Sequence, residues 1–174
     1  MANLDNVFLG PSLVTISGAA GTLTFTNEDL GAFSTDGTSI VFTNDTIPVA
    51  TDQTGTVPAK IFLAGQGATI TTPLLEEDVR KLGVGLVGSV VTSERIDFGR
   101  AAGYNITDNW VFQMRITPLD TARKFWHFYR VVPAGEVTLA YNSTTPTILN
   151  LVWTALPDTT KTDGQRLGYS DDQP

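Results

Sequence analysis

Two stretches of this chain place an apolar side chain, most of them large, at every second position. In NWVFQMRIT these are Trp110, Phe112, Met114 and Ile116, and in TPTILNLVWTALPD they are Leu149, Leu151, Trp153 and Ala155. A period of two fits a pleated strand with one face in a core. Leu23 and Phe25 alternate with Thr22, Thr24 and Thr26 in the same way. The motif SLVTISGAAGTLTFTNE therefore reads as two strands joined at Gly18 to Gly21. About one residue in seven is Thr, which suits the strand surface, and 16 Gly with 9 Pro supply the turns.

Further strands follow from the same reasoning. Asp36-Gly37 signals a turn before a short strand at Ile40 to Phe42. PAKIFLAGQGATITTP reads as a strand with a bulge or bend at Gly65 and Gly67. GSVVTSERIDF reads as one strand, RKFWHFYRVV as another that is apolar on both faces, and GEVTLAYN as one with Val137, Leu139 and Tyr141 together. Residues 44–58 lack periodicity and carry Pro48, Gly55 and Pro58, so they read as a long polar loop. The polar tail from Asp158 to Pro174 reads as extended.

One helix is expected, over about 73–82. Thr72 suits its cap and Pro73 its first position, where a missing N–H costs nothing. Glu76, Glu77 and Asp78 match the positive end of the dipole, Arg80 and Lys81 the negative end, and Gly83 the stop. Leu75, Val79, Leu82 and Leu86 form its apolar stripe. With no internal repeat or linker, residues 1–174 read as a single mainly β domain. The architecture is a β-sandwich or barrel-like fold with one main α-helix and extended N- and C-terminal segments.

Composition narrows the function. A net charge of −7 disfavours a specific DNA reader, because phosphate contacts need clustered Lys and Arg. No apolar run approaches the ~18 residues of a membrane span, and no secretory signal is expected. Cysteine is absent, which removes disulfides and thiolate chemistry. The one histidine, His127, lies among aromatics in KFWHFYR and reads as a partly buried strand residue rather than a base or metal ligand. Glu94 and Asp97 are three apart on an expected strand and face opposite sides, so they make no hydrolytic pair. The GQG of GQGATI carries no nucleotide fingerprint. No cofactor, metal or catalytic residue is expected. Phe125, Trp126, Phe128 and Tyr129 split between two strand faces and read as core or interface rather than a sugar platform.

The order of elements resembles the tail tube proteins of tailed bacteriophages. VATDQTGTVPAKIFLAGQGATITTPLLEEDVRKL looks like that family's loop, strand and helix, including Leu75-Glu76-Glu77. Residues 147–158 look like its last long strand, with TALPD, and residues 165–172 like its closing Gly-containing tail. The resemblance implies a structural virion protein and no enzyme: a subunit of hexameric rings that stack into a hollow tube, with strands completed into a ring-wide barrel and DNA passing through without specific binding. It implies an inter-ring loop carrying Asn44, Asp45, Asp52, Gln53, Thr54 and Lys60. It also implies a subunit-contact helix with Glu76, Glu77, Arg80 and Lys81, and terminal contacts at Asn6, Phe8, Arg166 and Tyr169. Partners would be further copies of the chain, with sheath, tape-measure, terminator and baseplate proteins. The location would be the virion, after synthesis in the host cytoplasm. Other ring proteins of the tail or neck share this expectation. A monomeric carbohydrate-binding β-sandwich is the alternative from another class.

Overall fold

The computed structural model describes residues 12–21, 23–31, 37–50, 57–75, 78–137 and 149–173. Its strands in chain order are β1 (Ser12–Ala20), β2 (Leu23–Asp29), β3 (Ser39–Val49), β4 (Lys60–Leu74), β5 (Val90–Val91), β6 (Ile96–Asp97), β7 (Trp110–Pro118), β8 (Phe125–Pro133), β9 (Leu149–Ala155) and β10 (Gly168–Asp171). Two short helices, α1 (Val79–Gly85) and α2 (Ile106–Asn109), complete the described elements. Eight strands form one antiparallel sheet in the order β2-β1-β7-β8-β9-β4-β3, with β10 added on β8. The fold is mainly β, as the alternation requires, and the sheet does not close into a barrel within the subunit.

The two alternating stretches supply the core. Trp110, Phe112, Met114 and Ile116 are buried along β7, as are Leu149, Leu151, Trp153 and Ala155 along β9. Val14 and Ile16 from β1 and Ile70 and Leu74 from β4 join them. Phe112 meets Phe25 and Trp153 edge-on. Both fully buried indoles are satisfied. Trp110 Nε1 donates to the Val84 carbonyl at 2.9 Å, and Trp153 Nε1 to Thr72 Oγ1 at 2.9 Å. An unpaired indole N–H in this core would cost about 1–3 kcal/mol.

Several elements differ from the sequence expectation. Thr72 and Pro73 do not open a helix. They continue β4, where Thr72 pairs with Leu151 and Pro73 with Asn150 of β9. Pairing with β3 ends at Thr71, and an antiparallel neighbour needs the N–H of only every other residue, so the proline is accommodated. The helix instead begins after Asp78, whose carboxylate accepts from Arg80 N at 2.9 Å. Gly83 lies inside α1 rather than ending it. A Cβ there would sit 2.4 Å from Val91 Cγ2, and one at Gly85 would sit 2.5 Å from Leu151 Cδ2. The glycines let the helix backbone press against its neighbours. The buried side of α1 is therefore Lys81, Gly83, Val84 and Gly85, and the expected leucine stripe is only partly covered.

The expected strand GSVVTSERIDF is a small hairpin of β5 and β6, with Thr92 N donating to the Arg95 carbonyl at 2.9 Å. The tail is not simply extended. It turns between Asp158 and Leu167 and returns as β10 along β8. The expected bend in β4 is present, because the β3–β4 register shifts between Asp45 and Thr46, opposite Gly65 and Leu63. Of the GEVTLAYN strand, Leu139 and Tyr141 lie outside the described residues.

Candidate assembly interface

The expected loop at 44–58 contains a different object. Asn44 to Val49 are the far half of β3, paired with Lys60 to Gln66. Polar residues and Pro48 hide this strand in the sequence, since an edge strand is paired on one side only and needs no buried alternation. The hairpin is long, and its two halves differ. β4 pairs with β9 from Thr69 to Leu74, so the near half belongs to the main sheet. Beyond Thr69 the two strands pair only with each other, out to Val49 and Lys60. We call this outer half the arm.

Both faces of the arm are apolar and exposed. Cα partners point to the same side of a sheet, so Ile47 and Phe62 share one face while Pro48 and Ile61 share the other. Leu63, next to Phe62, points the same way as Ile61. Ile47, Ile61, Phe62 and Leu63 are each more than half exposed, as is Val41 nearer the base. An isolated two-stranded ribbon is marginal in water, and clustered exposed apolar side chains mark interaction surfaces. At the base, Phe42 packs on Trp126 at 5.2 Å and on Phe128 at 6.4 Å between ring centroids. Gln66 Nε2 donates to Asn44 Oδ1 at 2.9 Å, which ties the two strands across the same face. An open cleft of about 720 Å³ separates the arm from the tail, lined by Phe42, Asn44, Leu63, Gln66, Arg166 and Leu167 among others.

The other expected contact residues are distributed as follows. Asn44, Asp45 and Lys60 lie on the arm. Arg166 lines the cleft and Tyr169 lies on β10. Asn6, Phe8, Asp52, Gln53, Thr54, Glu76 and Glu77 lie outside the described residues. Arg80 is engaged within the subunit, stacked 5.2 Å above the Phe25 ring, 3.1 Å from Glu28 and donating to the Thr24 carbonyl at 3.3 Å. Lys81 is buried. The apolar arm residues are not among the contacts expected from the sequence. Their signal is the run Ile61-Phe62-Leu63, which breaks alternation at the start of a Thr- and Gly-rich strand.

The remaining chemical candidates are dispersed. Glu94 lies in the β5–β6 turn, and Asp97 is bound by Arg95 Nε at 2.7 Å. Among the described residues, no group of three or more His, Asp or Glu could hold a metal. His127 is half-buried on β8, as expected. Burial, then the charges of Arg115 and Lys161, hold its pKa below the ordinary histidine value. The aromatic run is two-faced: Phe128 is buried beside Trp126, while Phe125, His127 and Tyr129 take the other side with Tyr169.

No family model and no curated protein matches this sequence. Among solved structures, a chain from the virion of a native gene transfer agent particle is similar, with a TM-score of 0.49 and 13% identity, covering 83% of this chain and 92% of that chain.

Proposed function

We propose that this chain is a structural virion protein whose copies form hexameric rings that stack into a hollow tail tube. The observation that carries the reading is the arm: a self-paired ribbon with apolar side chains exposed on both faces. Such a ribbon gains most when a neighbouring copy covers it, and covering both faces at once favours a packed assembly over a monomer. The order of elements that resembles tail tube proteins agrees with this, and so does the net charge of −7, which lets DNA pass an acidic wall without sticking.

The test is negative-stain electron microscopy of the purified chain across a concentration series. Hollow tubes or stacked rings are expected. A second protein replaces residues 46–64 by Asn-Gly, which joins the ladder partners Asp45 and Gly65 by a two-residue turn. It should remain folded and form no tubes. Discrete rings that never stack would move the assignment to a terminator or connector. Tubes of normal length from the shortened arm would refute the role given to it.

A further inference from the structure

The outer surface of β7 and β8 carries a compact group of rings and charges, bounded on one side by the C-terminal strand paired with β8. His127 has Arg115 of β7 and Tyr169 of β10 as its lateral neighbours in the sheet. Its ring lies 5.1 Å from that of Tyr169 and 5.5 Å from that of Tyr129. Arg115 stacks 4.1 Å above the Phe125 ring, and Lys161 sits 4.7 Å above the Tyr129 ring. The groups around His127 are thus Arg115 from β7, Tyr129 from its own strand, Tyr169 from β10 with Asp171 two residues on opposite Phe125, and Lys161 from the turn before β10.

The strand itself is lightly held. It contributes four residue pairs with β8. Just before it, Tyr129 N donates to the Leu167 carbonyl at 3.2 Å and Leu167 packs against the core; just after it, the Lys124–Asp172 pair at 3.3 Å is exposed and worth little, and Gln173 Nε2 donates to the Pro118 and Asp120 carbonyls. Within β10 itself the side-chain anchor is the partly exposed Tyr169, on His127, Tyr129 and Phe125.

We propose that this C-terminal strand is a proton-sensitive strap: protonating His127 releases Gly168 to Asp171 from the edge of β8. The added proton puts a third cation beside Arg115 and Lys161 in a half-buried site. Arg115 is fixed in the main sheet and Lys161 precedes the core-packed Leu167, whereas β10 can leave. Asp171 and the Tyr169 ring attract an imidazolium. Asp171 is exposed, however, and its attraction is screened by water. Burial and both cations act the other way, which is the direction in which the His127 pKa is displaced. Acid therefore favours the released state, in which the imidazole meets water again and binds a proton more readily. Release leaves Phe125 to Phe128 with an open strand edge, because β9 covers β8 only from Val131 to Pro133.

The chain has no cysteine, so a single spin label at Asp172→Cys reports the strap directly. Its mobility is recorded by electron paramagnetic resonance between about pH 8 and about pH 5, the range in which histidine titrates. The immobile component should be lost on acidification. It should persist throughout in His127→Phe, which keeps a ring and takes no proton. An unchanged spectrum, the same loss in His127→Phe, or a strap already mobile at about pH 8 in either protein overturns the proposal.

Discussion

Replacing Ile47, Ile61, Phe62 and Leu63 together by Thr separates the arm's role in assembly from any role in folding. These residues are 55%, 64%, 53% and 59% exposed in the subunit. Burying a side chain of this size fully is worth about 1.5–3 kcal/mol, so each retains roughly 1 kcal/mol to gain from a neighbour. Association recovers only part of a summed area term, and about 3 kcal/mol for the four is a reasonable share. That corresponds to about a 100-fold rise in the concentration at which assembly begins. Thr keeps the strand preference, and exposed substitutions usually change folding stability by no more than about 0.5 kcal/mol each. Assembly is followed by sedimentation and light scattering, and subunit stability by thermal unfolding at a concentration below assembly. The expected result is an ordinary subunit that assembles about 100-fold less readily. Assembly at the original concentration would refute the reasoning. So would a large loss of subunit stability, because the apolar pairs would then be serving the fold.

Three further outcomes follow from the packing and charge. Thr72→Val keeps the shape but strands the Trp153 N–H in the core, and should cost about 1–3 kcal/mol in urea unfolding with an unchanged slope. Gly83→Ala gains up to about 1 kcal/mol in helix propensity but drives a methyl into Val91, so the net effect should be a loss of about 1–3 kcal/mol. Adding Val91→Ala should recover part of that loss, which a propensity effect alone would not show. The folded pKa of His127 is lowered from 6.5, so its contribution to stability is present above that value and is lost as pH falls through the folded one. Chemical unfolding across this range should show wild type losing more stability on acidification than His127→Phe, and equal losses would contradict the packing described for the imidazole.

The strands legible in the sequence are those with one face in the core. β7 and β9 announce themselves because each presents one face to the core, so burial imposes a period of two on their residues. β8 was also legible, as a strand apolar on both sides, since Phe42 covers one face and Tyr169 meets the other. The arm was not. An edge ribbon lacks a core face, so Asn44, Asp45 and Pro48 resembled a loop, and its apolar tip had no visible partner. The helix was displaced for a related reason. Thr72, Pro73 and the acidic run satisfy every local rule for a helix start, yet β9 lies beside residues 69–74 and extends β4 through them. Tertiary pairing outweighs a cap worth about 1 kcal/mol.

The sequence by itself thus determined the class: a mainly β chain, acidic and cysteine-free, with its strongest strands placed correctly. These properties are written in local periodicity and composition, which need no knowledge of neighbours. Only the tertiary structure decided where the sheet ends, that its far edge projects as a two-sided apolar arm, and that the C-terminal segment folds back beside β8 and His127. Each of these depends on which strand lies beside which. Such contacts are set by the summed burial of residues far apart in the chain, and no short stretch carries that sum.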